Sequence, residues 1–242
     1  MFDRSCAFGM TMLTWALVAF GLPTHSAAGT LLSPSLAERF SRSGEPFGQE
    51  AYRLTAGVFF ENWRTVQQKL EEEQVQLALC ERDRVHCSSP PALRFLAIVE
   101  AGRAKDGRAR LGEINRAINL AVQPVSDLAR YGSIDVWASP LDTFSAGKGD
   151  CEDYAIAKFV ALREAGISPD DLRIVIMRHL GRNEDHAIAA VRLEGRWLTL
   201  DNRHMAIVED RDVTDYQPLF LLDQHGIMRY RDAPLLPVGW QS

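Results

Sequence analysis

The chain has 242 residues, 46% hydrophobic and 24% charged, with a formal net charge of -5. This is the composition of an ordinary globular domain, and the absence of a basic excess excludes a charge-driven nucleic-acid partner. Removing residues 1–28, which carry one Asp and one Arg, leaves the net charge unchanged.

Residues 6–22 carry no charge, follow Asp3 and Arg4, and precede Ser26-Ala27-Ala28. This is the pattern of a secretory signal peptide cleaved after Ala28. An uncleaved anchor is the alternative, although the stretch is shorter than the ~20 residues of a span. The remainder is then exported. Residues 29–48, with several Ser, Gly and Pro, read as a loosely ordered lead-in, and 49–242 as one domain.

Apolar spacing predicts helices over 51–79, 92–104 and 109–122, the last stopped by Pro124. The first has an apolar face through Val58, Phe59, Trp63, Val66 and Leu70, and its Glu71-Glu72-Glu73 run reads as a solvated surface. Cys80 and Cys87 flank the end of that helix, and in an oxidising compartment they pair. Closing so short a loop contributes roughly 2.5 kcal/mol; a metal pair is the alternative, with only His86 nearby. Cys6 leaves with the signal, so Cys151 becomes the odd thiol, either reactive or buried and inert.

The segment 133–149 reads as a loop containing Trp137 and Pro140. A helix over 151–165 follows, with Asp150 as N-cap, Asp153 at its third position, and Gly166 and Pro169 beyond its end. Ala155, Ile156, Phe159, Val160 and Leu162 form its expected core face. A cysteine at such a helix start meets unpaired amides and a partial positive charge, which favour a thiolate. Yet Asp150, Glu152 and Asp153 surround it.

The periodicity then changes to strands over 172–179, 186–193 and 196–201, with Glu194-Gly195 as a two-residue turn, and shorter candidates over 206–208 and 227–230. Helices first and an antiparallel sheet last make an α+β fold. The turn sets Leu193 opposite Arg196, and therefore Ile188 opposite Asp201. His186 and Asp201 then share a face as diagonal neighbours, with Cβ atoms somewhat under ~7–8 Å apart. An Asp-oriented His beside a helix-terminal Cys is the thiol form of triad chemistry, with Cys151 as nucleophile, His186 as base and acid, and Asp201 fixing the tautomer. A partner oxyanion donor to the Cys151 amide is not assigned, although the Trp137 indole lies in the preceding loop.

The run Gly149-Asp150-Cys151-Glu152-Asp153-Tyr154-Ala155, followed by Asp185-His186-Ala187 and Leu200-Asp201-Asn202, resembles the bacterial transglutaminase-like cysteine proteinases, in particular the LapG-type periplasmic adhesin proteases. The resemblance takes in the Cys, His, Asp order, the spacings, the signal peptide and the Cys80/Cys87 pair, and covers most of the mature chain. It implies a papain-related α+β domain and a periplasmic endopeptidase that cleaves a large surface adhesin near its N-terminus at an Ala-Ala-type site. It also implies a calcium ion held by Asp150 and Glu152, and an inner-membrane receptor that binds cyclic-di-GMP and sequesters the protease. Release of the protease then frees the adhesin and disperses biofilm.

The residues give calcium a motive of their own. Three carboxylates beside a thiol oppose its ionisation, and a hard cation with oxygen ligands neutralises them. The plainer reading makes them helix-cap and dipole partners without metal. The same triad also serves a transglutaminase or a cell-wall amidase, and a silent calcium-binding module is a further alternative.

Overall fold

The computed structural model describes residues 44–133, 135–182 and 184–234. The expected signal peptide, and residues 29–43 of the lead-in, lie outside them. No helix among the described residues is long and apolar enough to cross a membrane.

The first half is helical, as the periodicity predicts, but its start differs. Residues 51–53 form a strand, β1 (Ala51–Arg53), and helix α1 runs over Val58–Arg82. Gly57, at φ 118°, separates the two, a backbone value that glycine adopts without strain. Phe59, Trp63, Val66 and Leu70 are buried as expected, whereas Val58 is 68% exposed in the first turn. The Cys80–Cys87 disulfide closes the end of α1.

Helix α2 (Pro90–Arg103) starts with Ser89 accepting from the Ala92 amide, and α3 (Gly107–Ala121) packs against it. At the crossing, a Cβ on Gly102 would lie 2.7 Å from the Ile114 side chain, so only glycine permits this approach.

The expected loop before the nucleophile is more regular than its composition suggests. A short strand β2 (Gln123–Pro124) leads to α4 (Asp127–Tyr131), then α5 (Pro140–Ala146) and β3 (Lys148–Gly149), which pairs in parallel with β2. Ser126 and Ser139 cap the two helices. The Glu73 side chain, read as solvated, accepts from Ser139 Oγ and from the Leu141 amide at 3.1 Å, tying α1 to α5.

Helix α6 (Cys151–Glu164) is buried from Glu152 to Leu162 on every side, not on one face. The sheet strands β4 and β5 cover one flank and α2, α3 and α5 the others. Seven described strands form that antiparallel sheet: β1, β9 (Gly226–Tyr230), β8 (Tyr216–Asp223), β4 (Leu172–His179), β5 (Glu184–Leu193), β6 (Arg196–Leu200) and β7 (Val208–Glu209), in that spatial order.

The β5–β6 register is the one the turn predicts, with Leu193 opposite Arg196 and Ala189 opposite Leu200. Glu194 and Gly195 have φ of 52° and 77°, the positive pair of a type I′ turn. Strand β8 escapes the sequence pattern because Pro218 sits where the β4 pairing shifts register; a bulge tolerates the missing N–H and disrupts the alternation.

The outer face of the sheet carries Val175, Met177, Ile188, Trp197 and Tyr230. Residues 44–48, expected to be loosely ordered, cover it. Trp197 Nε1 donates to Gly44 O at 2.9 Å, Tyr230 OH to Pro46 O at 3.2 Å, and Arg173 pairs with Glu45 at 2.7 Å. The apolar face beneath supplies the reason for their order.

Candidate active site

Cys151 is the first residue of α6 and the free cysteine of the described chain. Its S–H donates to Glu152 Oε2 at 2.9 Å. Burial pushes the thiol well above its ordinary range, the Glu152 and Asp150 charges add to that, and a hydrogen bond from the Ala187 amide opposes them. That amide belongs to the residue after His186, so the start of β5 lies against the start of α6.

His186 is fully buried. Its Nε2 lies 2.8 Å from Asp201 Oδ1, the contact anticipated from the hairpin register. Nδ1 is left without a hydrogen-bond partner, the arrangement of an imidazole with one nitrogen fixed and the other open. The Tyr216 ring packs on it, with centroids 5.7 Å apart.

Asp201 also accepts the Arg203 amide at 2.8 Å. Burial pushes its carboxyl up, but the His186 hydrogen bond and charge, the Arg203 amide and the Lys158 charge outweigh burial and leave it below the usual range. Two asparagines of α3 hold the loop behind it. Asn119 Nδ2 donates to Asp201 O at 2.9 Å, and Asn115 Nδ2 to His204 O and Met205 O at 3.2 Å each.

On the other side of Cys151, carboxylate oxygens of Asp127, Asp150 and Asp153 lie within 4.8 Å of one another. Asp150 occupies the N-cap position but makes no capping hydrogen bond, its side chain turning to this cluster. Asp153 accepts the Ala138 amide at 2.8 Å and Arg130 Nη1 at 3.1 Å, and Asp127 the Val136 amide at 2.5 Å. Asp127 Oδ1 and Asp150 Oδ1 are buried and receive no hydrogen bond. Burial, with the charges of Glu152, Asp153 and Asp127, pushes Asp150 up to about 9; burial, with Asp127 and Glu152, lifts Asp153 to about 7 against the Ala138 amide and Arg130. Oxygen-only donors with two orphaned oxygens suit a hard divalent cation.

The expected ligand pair, Asp150 and Glu152, is divided between this cluster and the thiol. Asp150 is in the cluster and Glu152 is not, because positions 150 and 153 share a helix side while 152 points away, into hydrogen-bonding contact with the thiol. The three-residue spacing was a readable signal for Asp153. Asp127 comes from another element, and no local pattern marks it. The Trp137 indole donates to Asp135 at 2.7 Å and its ring stacks on Phe59, so that N–H already has an acceptor.

A sequence model of the bacterial transglutaminase-like cysteine proteinases matches residues 74–226. No curated protein matches the chain. Among solved structures, calcium-bound LapG of Legionella pneumophila is similar with a TM-score of 0.52 and 24% identity, over 61% of this chain and 82% of that one. A second LapG structure from that organism gives a TM-score of 0.54 and 23% identity, over 66% and 88%. An EGTA-treated form gives 0.54 and 23%, over 66% and 85%. At these identities the likeness is one of fold.

Proposed function

From the premise that the chain belongs to the bacterial transglutaminase-like cysteine proteinases and is a cysteine peptidase, we propose that it is a calcium-dependent endopeptidase with Cys151 as nucleophile, His186 as acid and base, and Asp201 as the orienting carboxylate. The observation that carries this assignment is the buried His186–Asp201 hydrogen bond, with Nδ1 open, beside a thiol at a helix start. His186 Nδ1 takes the thiol proton as sulfur attacks the scissile carbonyl, then gives it to the leaving amine. Water releases the acyl group from sulfur. The Cys151 amide, first in its helix and without an intrahelical acceptor, is placed to receive the developing oxyanion.

Asp127, Asp150 and Asp153 would hold calcium, and Glu152 keeps the resting thiol protonated by accepting its S–H. A bound cation neutralises the acids that disfavour the thiolate. The resemblance of the Gly149–Ala155 run supports a substrate of the large surface-adhesin class, cut near its N-terminus in the periplasm. It also supports control by an inner-membrane receptor that responds to cyclic-di-GMP and sequesters the enzyme, so that release disperses biofilm.

The test is cleavage of the N-terminal region of a large adhesin encoded nearby. Wild type with calcium is expected to cut it, and Cys151→Ala and chelated wild type are not. Cutting by Cys151→Ala would refute the assignment of the nucleophile.

A further inference from the structure

Strand β8 changes register against β4 partway along its length. Leu222, Leu221 and Phe220 stand opposite Ile174, Val175 and Ile176, whereas Pro218, Gln217 and Tyr216 stand opposite Met177, Arg178 and His179. Leu219 is therefore the extra residue of a bulge. Leu219 and Phe220 both enter the main core although they are consecutive, while Leu221 lies on the outer face. Side chains alternate along a strand, so a one-residue slip moves every residue beyond it to the other face. Without the slip, Gln217 would stand against His179 and Tyr216 would turn to the inner face.

With the slip, Tyr216 shares a face with His186. His179 is directly across from Tyr216, Met177 is two residues from His179, and Met177 is directly across from His186; residues so related lie on one side of a sheet. The Tyr216 ring reaches past β4 to pack on the imidazole, 5.7 Å between centroids and 34° between planes, and the His179 ring makes a T-shaped contact with it at 4.8 Å. The Tyr216 hydroxyl accepts from Arg203 Nη1 at 3.3 Å. The Arg203 amide donates to Asp201 Oδ1, the oxygen that also meets His186 Nε2. Arg203 thus joins the ring to the carboxylate, and Glu184 steadies its guanidinium at 3.0 Å.

Beyond the ring, a cavity of about 290 Å³ is lined by Met177, Ile188, Asp201, Val213 and Tyr216. Tyr216 borders both this space and the imidazole. Removing the ring would extend the space to His186, where water could compete for the Nε2 proton and the imidazole could turn.

We infer that Tyr216 is a positioning residue for catalysis: its ring holds the His186 imidazole against Asp201 and keeps water from that hydrogen bond, and the β8 bulge delivers the ring to the catalytic face. This rests on the assignment of Cys151, His186 and Asp201 as the catalytic set. It also accounts for Pro218 inside a strand with neighbours on both sides, since a bulge is where a sheet accepts proline.

The ring, not the hydroxyl, carries the effect. On the adhesin N-terminal fragment with calcium, Tyr216→Phe is expected to keep kcat within about threefold of wild type, and Tyr216→Leu to lower kcat about tenfold with KM within about twofold. Wild-type kcat in a folded Tyr216→Leu, a loss confined to KM, or an equal loss in Tyr216→Phe overturns the inference. Because the ring acts through the His186–Asp201 contact, adding Tyr216→Leu to Asp201→Asn should lower kcat by less than about threefold more. Fully multiplicative losses overturn the coupling.

A second measurement needs no substrate. The Nε2 proton of His186, identified by its absence in His186→Ala, should exchange with water about tenfold faster in Tyr216→Leu than in wild type or Tyr216→Phe; equal rates overturn the inference. Tyr216→Met, which fills space without a ring plane, takes the place of Tyr216→Leu in both measurements if the latter does not fold. Cleavage by Cys151→Ala would instead overturn the catalytic set itself, whereas an inactive Cys151→Ala with wild-type kcat in Tyr216→Leu removes Tyr216 alone.

Discussion

Two carboxylate centres flank Cys151, and they are built in opposite ways. Asp201 accepts from an imidazole and a backbone amide, has its own carbonyl held by Asn119, and lies below the usual carboxylate range. Asp150 faces Asp127 and Asp153, receives no hydrogen bond at Oδ1, and is pushed to about 9. Both groups are withdrawn from water, so burial alone does not separate them. The partners do: Asp201 is completed by the protein, while the acid cluster is completed only by a proton or a cation. One centre is permanently organised and the other depends on its surroundings.

Breaking the organised centre should have the largest effect. His186→Ala is expected to lower cleavage on the order of 10⁴-fold or more, and Asp201→Asn by about 10²–10⁴-fold, with folding retained. Initial rates on an adhesin N-terminal fragment, alongside thermal unfolding, separate lost chemistry from lost structure. An Asp201→Asn rate near wild type would mean that the pair does not act as a unit.

Chelation tests the conditional centre. In the metal-free protein, Asp150 and Asp153 hold protons to about 9 and about 7, whereas the unfolded chain releases them near ~3.9. The folded state binds more protons across that window, so stability falls as pH rises from about 4 to about 9. Asp201 has the opposite sign: its depressed carboxyl contributes stability above the unfolded value, and that is lost on acidification. Calcium competes with protons at the cluster. Melting temperatures with calcium and with EGTA should therefore diverge as pH rises, and coincident curves across pH 5 to 9 would exclude the cluster as the metal site.

The same contrast explains what was legible in the sequence. His186 and Asp201 lie on one hairpin, and the Glu194-Gly195 turn fixes their relation through a short local register. The acid cluster joins α4 to the start of α6, so Asp127 has no sequence neighbour that announces it. Glu152, next to Cys151 in sequence, lies on another side of the helix from Asp150 and Asp153 and meets the thiol. The fold followed a similar rule. Helices α2, α3 and α6 and strands β4 to β6 carry uninterrupted periodic patterns, whereas β1 and β8 are held by long-range pairing, one only three residues long and the other with a proline at its bulge.

Gly149→Ala perturbs the conditional centre without replacing any of its carboxylates. A Cβ there would lie 2.6 Å from Asp153 Oδ2 and 2.7 Å from its Cβ, so Asp153 has to move. Overpacking of this kind costs about 1–3 kcal/mol. The calcium-dependent gain in melting temperature should shrink with it, while iodoacetamide still alkylates Cys151 at low calcium as in wild type. An undiminished calcium gain would show that Asp153 is dispensable to the cluster.

The smallest expected effect lies behind the organised centre. Asn119→Ala removes the donor to Asp201 O and a longer contact to His204 O, but leaves the His186 and Arg203 contacts to the carboxylate intact. Loss of one such hydrogen bond costs about 1 kcal/mol, equivalent to about fivefold in rate if Asp201 shifts by that much in the transition state. The decrease should fall on kcat rather than KM, because Asn119 reaches the reaction only through the loop that carries Asp201. Asn115→Ala, acting on His204 and Met205 further along that loop, is expected to lower stability more than kcat. Equal kcat losses in the two variants would mean that the loop responds as one rigid piece, with Asp201 held by the loop as a whole and not by its own carbonyl contact.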